Sequence, residues 1–115
     1  MKPPPPSRGD VWLVDLNPTV GHEQAGRRPA AVVSVNLFNR GLAGLAVVVP
    51  ITTADRRIPL HVQVDPPEGG LRARSFVKCE DVRSISTARL VARWGRLSPS
   101  TMDDIDDRLR ILLGL

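Results

Sequence analysis

Two apolar stretches decide the fold: AAVVSV at residues 30–35 and LAVVV at residues 45–49. Both are short and rich in β-branched residues, a pattern typical of buried strands. The connection between them, residues 36–44, contains turn residues such as Asn36 and Gly44. Pro50 is expected to end the second strand, because proline cannot donate a ladder hydrogen bond. These segments therefore predict the centre of a β-sheet.

Further short strands flank this pair. They are predicted at residues 11–16, 60–64, 75–79 and 90–94, where apolar residues alternate with polar ones or form short β-branched runs. Arg83 to Thr87 is predicted to be a short connection. Several short strands followed by one helix indicate a mainly β fold, a small and strongly bent barrel with an appended C-terminal helix.

The last segment has the pattern of an amphipathic helix. Ser98 and Pro99 are typical of a helix start, with the serine as cap. Apolar residues then recur at spacings of three and four, at Met102, Ile105, Leu109 and Leu112. Three aspartates share the opposite face, at Asp103, Asp106 and Asp107. A solvated acidic patch is predicted there in preference to a metal site.

The 115 residues fit one domain. We predict a disordered proline-rich tail over residues 1–7 and a single domain over residues 8–115, because Pro3 to Pro6 favour an extended conformation. Cys79 is the single cysteine and lies in an apolar run, so a buried and unreactive thiol is expected. Without a disulfide, a signal peptide or a membrane-spanning stretch, the sequence favours a cytoplasmic protein with no membrane partner.

The composition narrows the classes of partner. The net charge is +4 and the isoelectric point about 10.5, and 14 of the 16 basic residues are arginine. Arginine suits phosphate and base recognition, although an arginine-rich soluble protein without an anionic partner fits the charge equally well. Four aromatic residues are too few for a stacked-base platform. One cysteine and two histidines do not make a zinc site, so no metal and no cofactor are expected.

Metal-free cleavage of RNA remains chemically possible. A 2′-hydroxyl can attack the adjacent phosphate when one group accepts its proton, another stabilises the anionic phosphorane and a third protonates the leaving oxygen. Two loops carry suitable side chains between predicted strands, at residues 21–29 and 50–57. Functional residues concentrate in such loops.

Four segments of the chain resemble the MazF/PemK family of toxins. They are RGDVW at residues 8–12, NPTVGHEQAGRRP at 17–29, VPITT at 49–53 and EDVRSI at 80–85. The likeness extends into the C-terminal helix and covers the chain apart from its proline tail. The pairing of G-x-E-Q-x-G-x-R-P with a downstream P-x-T-T is more specific than a single short motif.

The resemblance implies a type II toxin with an SH3-like barrel of the CcdB/MazF type. It implies a homodimer that binds single-stranded RNA in a groove, and a cognate antitoxin whose C-terminal segment blocks that groove. The activity implied is a sequence-selective, metal-independent endoribonuclease that leaves 2′,3′-cyclic phosphate and 5′-hydroxyl ends. By the same resemblance, the catalytic residues are Arg28, Thr52 and Glu23. A gyrase poison of the CcdB type and an inactive RNA-binding member are the alternatives, because fold alone does not fix function.

The residues expected to contact RNA lie in the same segments. They are His22, Gln24, Arg27, Thr53, Arg56, Arg57, Glu80 and Asp81. His22 stands where many members have serine, and the acidic pair replaces a commoner acid-glutamine pair. Asp81 either accepts a hydrogen bond from a base or pairs with an arginine such as Arg83.

Three further side chains carry weaker expectations. His61 alternates with Leu60 and Val62, so an exposed structural role is predicted for it. Trp12 is predicted to lie in the core. Trp94 either stacks on a base or covers the barrel or a dimer contact.

Overall fold

The computed structural model describes residues 4–16 and 26–115. In that part of the chain, seven strands precede one long helix. The strands are β1 (Asp10–Asp15), β2 (Arg27–Val32), β3 (Leu45–Thr52), β4 (His61–Val64), β5 (Ser75–Lys78), β6 (Arg83–Ser86) and β7 (Leu90–Arg96). The helices are α1 (Asn36–Asn39) and α2 (Pro99–Leu113). Short 3₁₀ turns lie at Glu68–Gly70, Cys79–Asp81 and Thr87–Arg89.

All strand pairings are antiparallel, and the strands follow the order β4-β5-β3-β2-β1-β7, with β6 paired to β3. β3 is the centre of the sheet. Its residues 45–48 pair with β6, its residues 48–50 pair with β2, and its last two residues, Ile51 and Thr52, pair with β5. Among the described residues no pairing joins β4 to β7, so the sheet bends around a core without closing. The prediction of a mainly β, barrel-like fold with a C-terminal helix is confirmed.

The strand alternation sends apolar side chains to both faces of the sheet. The inner cluster combines strand residues such as Val49 and Val77 with Met102 and Ile105 of α2. The second cluster lies on the other face and contains Trp12, as predicted, beside residues such as Val14, Val32 and Val48. Burial on two faces explains why the central strands are almost continuously apolar.

Helix α2 begins where the sequence predicts. The Ser98 hydroxyl accepts a hydrogen bond from the Thr101 amide at 3.1 Å, and Pro99 is the first helical residue. At the other end Gly114 adopts φ of 70°, the left-handed conformation that caps many helices. Within the described residues no helix is both long and apolar enough to cross a bilayer.

Several local predictions need correction. Pro50 does not end β3, since the strand continues to Thr52. Pro50 lies where the pairing of β3 changes from β2 to β5. A residue without a backbone N–H donor is tolerated at such a position. Residues 83–86 form strand β6 and not a connection. Only Ile85 of this strand is a buried apolar residue, so its hydrophobic pattern is too weak to detect.

The N-terminal segment and α2 are joined by an ion pair that the sequence did not predict. Both carboxylate oxygens of Asp106 accept hydrogen bonds from Nη2 of Arg8. Asp106 is therefore a structural partner and not part of a solvated acidic face. Pro6 is buried, and residues 1–3 lie outside the described part of the chain. The domain boundary at residue 8 stays a prediction.

Candidate active site

Arg28 and Thr52 lie near the ends of two neighbouring central strands. The β2–β3 ladder pairs Ala30 with Pro50, and each candidate residue lies two positions beyond that pair. Residues two apart on a strand share a face, so Arg28 and Thr52 project from the same side of the sheet. Arg28 is exposed and Thr52 is partly buried. A guanidinium and a hydroxyl are thus brought to one accessible surface.

The Thr52 hydroxyl has a defined local partner. Its Oγ1 accepts a hydrogen bond from the Ala54 amide at 3.1 Å, which fixes the start of the loop between β3 and β4. The hydroxyl proton can still be donated, because a hydroxyl both donates and accepts. Thr52 can therefore donate to a phosphate oxygen while its own oxygen holds the loop.

The other basic and polar candidates of the β2 and β3 segments are exposed. They are Arg27, Thr53, Arg56 and Arg57. Arg27 is adjacent to Arg28 on β2, so the two side chains point to opposite faces of the strand. The Arg57 backbone has φ of 52°, and its amide donates to Oδ1 of Asp55 at 3.1 Å. This loop therefore places positive charge beside Thr52 and has a defined turn.

Three predicted site residues, His22, Glu23 and Gln24, belong to the segment between β1 and β2. They lie outside the described residues, which resume at Gly26. Their proposed roles stay predictions. The strands on either side fix where the segment leaves and rejoins the sheet, since Asp15 is paired with Arg27 across β1 and β2.

Glu80 and Asp81 lie in the 3₁₀ turn after β5. The Asp81 carboxylate accepts a hydrogen bond from Nη2 of Arg83 at 2.7 Å, and the Lys78 ammonium lies 4.0 Å away. Of the two roles open to Asp81, the structure contains the pairing with arginine. Its availability for a base therefore depends on releasing Arg83.

The prediction for His61 was wrong. Its side chain is only 3% exposed, and its Nε2 lies 2.8 Å from Oε2 of Glu80. The polar face of β4 is not open to solvent at this point, because the turn carrying Glu80 packs over it. The other ring nitrogen, Nδ1, is buried without a hydrogen-bond partner among the described residues.

Cys79 is buried, as predicted. Burial raises the pKa of its thiol to about 12, and the negative charge of Glu80 acts in the same direction. The thiol therefore stays protonated near neutral pH and is not an activated nucleophile. In the described ranges, no three His, Cys, Asp or Glu side chains are grouped in a way that could hold a metal ion.

A concave surface beside the candidate pair was not predicted as a unit. It has a volume of about 540 Å³ and is lined by residues that include Pro29, Thr53, Leu71, Arg72, Arg93 and Trp94. Pro29 and Thr53 directly follow the two candidate catalytic residues. Thr53 and Trp94 were candidates from the sequence, but the lining residues are separated along the chain, so no local pattern predicts that they come together. We call this surface the Trp94 groove.

The chain matches known proteins over nearly its whole length. Residues 7–113 match the family described as PemK-like, MazF-like toxin of type II toxin-antitoxin system. The endoribonuclease EndoA of Bacillus subtilis is 36% identical over 110 residues, which span 94% of each chain.

Solved structures agree with the sequence match. MazF of Deinococcus radiodurans superposes with a TM-score of 0.86 at 28% identity, over 98% of this chain and 100% of the other. A mycobacterial endoribonuclease solved with its cognate antitoxin has a TM-score of 0.80 at 30% identity, over 96% of each chain. The strands, the helix and the motifs of the candidate site all lie inside the matched range. The chain therefore belongs to the MazF/PemK family of type II toxins, whose curated members include endoribonucleases.

Proposed function

We propose that the protein is a toxin that cleaves single-stranded RNA at selected sequences without a metal ion. The 2′-hydroxyl of one nucleotide attacks the adjacent phosphorus, and the bond to the 5′-oxygen of the next nucleotide breaks. The products are a 2′,3′-cyclic phosphate and a 5′-hydroxyl. The observation that carries the proposal is the placement of Arg28 and Thr52 on one accessible face, in a chain of this family.

Arg28 and Thr52 have complementary roles in this reaction. The guanidinium of Arg28 stabilises the negative charge that develops on the phosphorane oxygens, or donates the proton that the leaving oxygen needs. The Thr52 hydroxyl donates a hydrogen bond to a non-bridging phosphate oxygen and so orients the phosphate for in-line attack. Glu23 is proposed to accept the 2′-hydroxyl proton or to orient Arg28.

The RNA contacts are proposed to surround this pair. The candidates are His22, Gln24, Arg27, Thr53, Arg56, Arg57, Glu80 and Asp81. The exposed arginines neutralise backbone phosphates, whereas the acidic pair accepts hydrogen bonds from base amino groups. His61 would hold the Glu80 carboxylate in one orientation, given the 2.8 Å contact between them.

The assembly proposed is a cytoplasmic homodimer that is neutralised by a cognate antitoxin. A relative of known structure is bound to such an antitoxin, which supports this type of partner. An extended antitoxin segment lying in the RNA groove would block the substrate directly. Electrostatic attraction is expected to contribute, since RNA and an acidic peptide would both complement the net charge of +4.

A pair of neighbouring threonines tests the catalytic assignment. Thr52→Ala removes the proposed phosphate donor, and we expect cleavage of a mapped RNA site to slow by about a hundredfold, the usual effect of losing such a donor. Thr53→Ala is the matched control, since the residue is exposed and carries the same hydroxyl. Because Thr53 is itself one of the proposed RNA contacts, we expect Thr53→Ala to weaken RNA binding but to leave the cleavage rate at saturating protein close to that of the wild type. Equal loss of activity in both variants, or full activity in Thr52→Ala, would contradict the assignment.

A further inference from the structure

We propose that the Trp94 groove binds one nucleotide of the RNA next to the scissile phosphate, with its base stacked on Trp94 and its phosphate between Arg72 and Arg93. This inference rests on the proposed ribonuclease activity and adds to it a specific binding position. It assigns a role to a tryptophan that the catalytic pair leaves unused.

The backbone holds Trp94 in an exposed position. Gly70 is packed so closely against β7 that a Cβ atom there would lie 2.3 Å from the Trp94 carbonyl oxygen. A Cβ atom at Gly95 would lie 2.7 Å from the carbonyl carbon of Gly69. The two segments are therefore in direct backbone contact, which only glycine permits at these positions. Trp94 projects from this contact and remains 40% exposed.

The chemistry of the lining matches a nucleotide. Leu71, Pro29 and the Trp94 ring provide apolar surface. Arg72 and Arg93 are the charged residues of the lining, to which the described part of the chain contributes no carboxylate. A flat apolar ring with an attached anion is the ligand that this combination favours. The volume of about 540 Å³ also falls in the range of roughly 300–1,000 Å³ that is usual for small-ligand sites.

Arg93 is positioned by a buried carboxylate. Its Nε donates to Oδ1 of Asp10 at 3.2 Å, and the Asp10 side chain is only 3% exposed. The Arg93 side chain as a whole remains 46% exposed and lines the groove. Holding the arginine in place lowers the entropy lost when it binds a phosphate.

The groove lies at the strand ends that carry the proposed catalytic pair. Pro29 follows Arg28 on β2, and Thr53 follows Thr52 at the end of β3. Because neighbouring strand residues face opposite sides, an RNA strand whose phosphate lies at Arg28 and Thr52 would pass around the ends of β2 and β3 to place its neighbouring nucleotide in the groove. Stacking on an aromatic ring is tolerant of sequence, so the groove would set affinity and register more than base identity.

The test measures binding of a short RNA that carries a mapped cut site, with a 2′-deoxy nucleotide at the cut so that it cannot be cleaved. We expect Trp94→Ala to weaken binding by roughly 5- to 100-fold, as loss of one stacked base does, and Trp94→Phe to retain most of the affinity. Val91→Ala is the matched control, because Val91 is an exposed β7 residue outside the groove. Trp94 fluorescence should change on saturation, since the other tryptophan, Trp12, is buried.

Abasic substitution along the same RNA identifies the stacked base. One abasic position should weaken binding to the wild-type protein but not to Trp94→Ala, because the contact is already absent from the variant. Affinity in Trp94→Ala equal to that of Val91→Ala, or abasic penalties unchanged by the mutation, would overturn the inference while leaving the ribonuclease intact. A wild-type protein that neither cuts nor binds RNA would instead overturn the proposed function, and the groove assignment with it.

Discussion

Arg28→Ala is expected to lower the rate of RNA cleavage by at least about a hundredfold without preventing folding. The residue lies at the exposed start of β2, so its removal leaves the apolar clusters unchanged. The loss is catalytic because the phosphorane carries more negative charge than the bound phosphate, and a preorganised guanidinium stabilises that added charge most. The measurement is single-turnover cleavage of a mapped RNA site at saturating protein.

Arg27→Ala is the matched control for this variant. It removes the same charge one residue earlier, from the opposite face of the same strand. We expect it to weaken RNA binding modestly and to leave the single-turnover rate close to that of the wild type, since a phosphate contact contributes affinity and not chemistry. Equal rates for Arg28→Ala and wild type would contradict the role of Arg28, whatever the behaviour of Arg27→Ala.

Asp10→Ala is expected to lower the free energy of unfolding by about 3 kcal/mol. The Asp10 carboxylate is buried and accepts four hydrogen bonds. The donors are the Ser7 amide at 2.8 Å and, each at 3.2 Å, the Trp12 indole, Arg93 and Arg96. Alanine would leave the buried indole N–H without its acceptor and would release both arginines. Urea unfolding with an unchanged m-value measures the difference.

Asp65→Ala is the control for the loss of an aspartate from an ion pair. Asp65 accepts from Nε of Arg74 at 2.9 Å, but both side chains are more than half exposed. Surface pairs of this kind contribute at most about 1 kcal/mol. A similar loss of stability in both aspartate variants would show that the burial of Asp10 does not matter. Asp10→Ala should also weaken RNA binding if Arg93 depends on it for its position.

The sequence was sufficient for the strands and the helix that have a strong local pattern. β3 and the start of α2 follow from β-branched runs and from a serine-proline cap, because these signals act over a few residues. The sequence did not predict β6, because this strand has no strong apolar pattern of its own and forms through its pairing with β3. The continuation of β3 beyond Pro50 has a similar cause, because it depends on the ladder with β5.

The sequence predicted only those candidate site residues that lie in a recognisable short motif. Arg28 and Thr52 come from two short motifs, and the sheet brings them to one face. The burial of His61 beneath Glu80 depends on a turn 19 residues later, which periodicity cannot report. The Trp94 groove depends on close packing of two glycine-containing backbone segments, a tertiary contact that has no local pattern.

The most direct measurement is incubation of the purified protein with a long, mostly unstructured RNA in EDTA, followed by mapping of both new ends. We expect discrete cuts that leave 2′,3′-cyclic phosphate and 5′-hydroxyl ends and that are lost in Arg28→Ala. Intact RNA would contradict the proposed function and would direct attention to gyrase as the target. Ends carrying a 5′-phosphate would contradict the mechanism, because attack by the neighbouring 2′-hydroxyl cannot produce them.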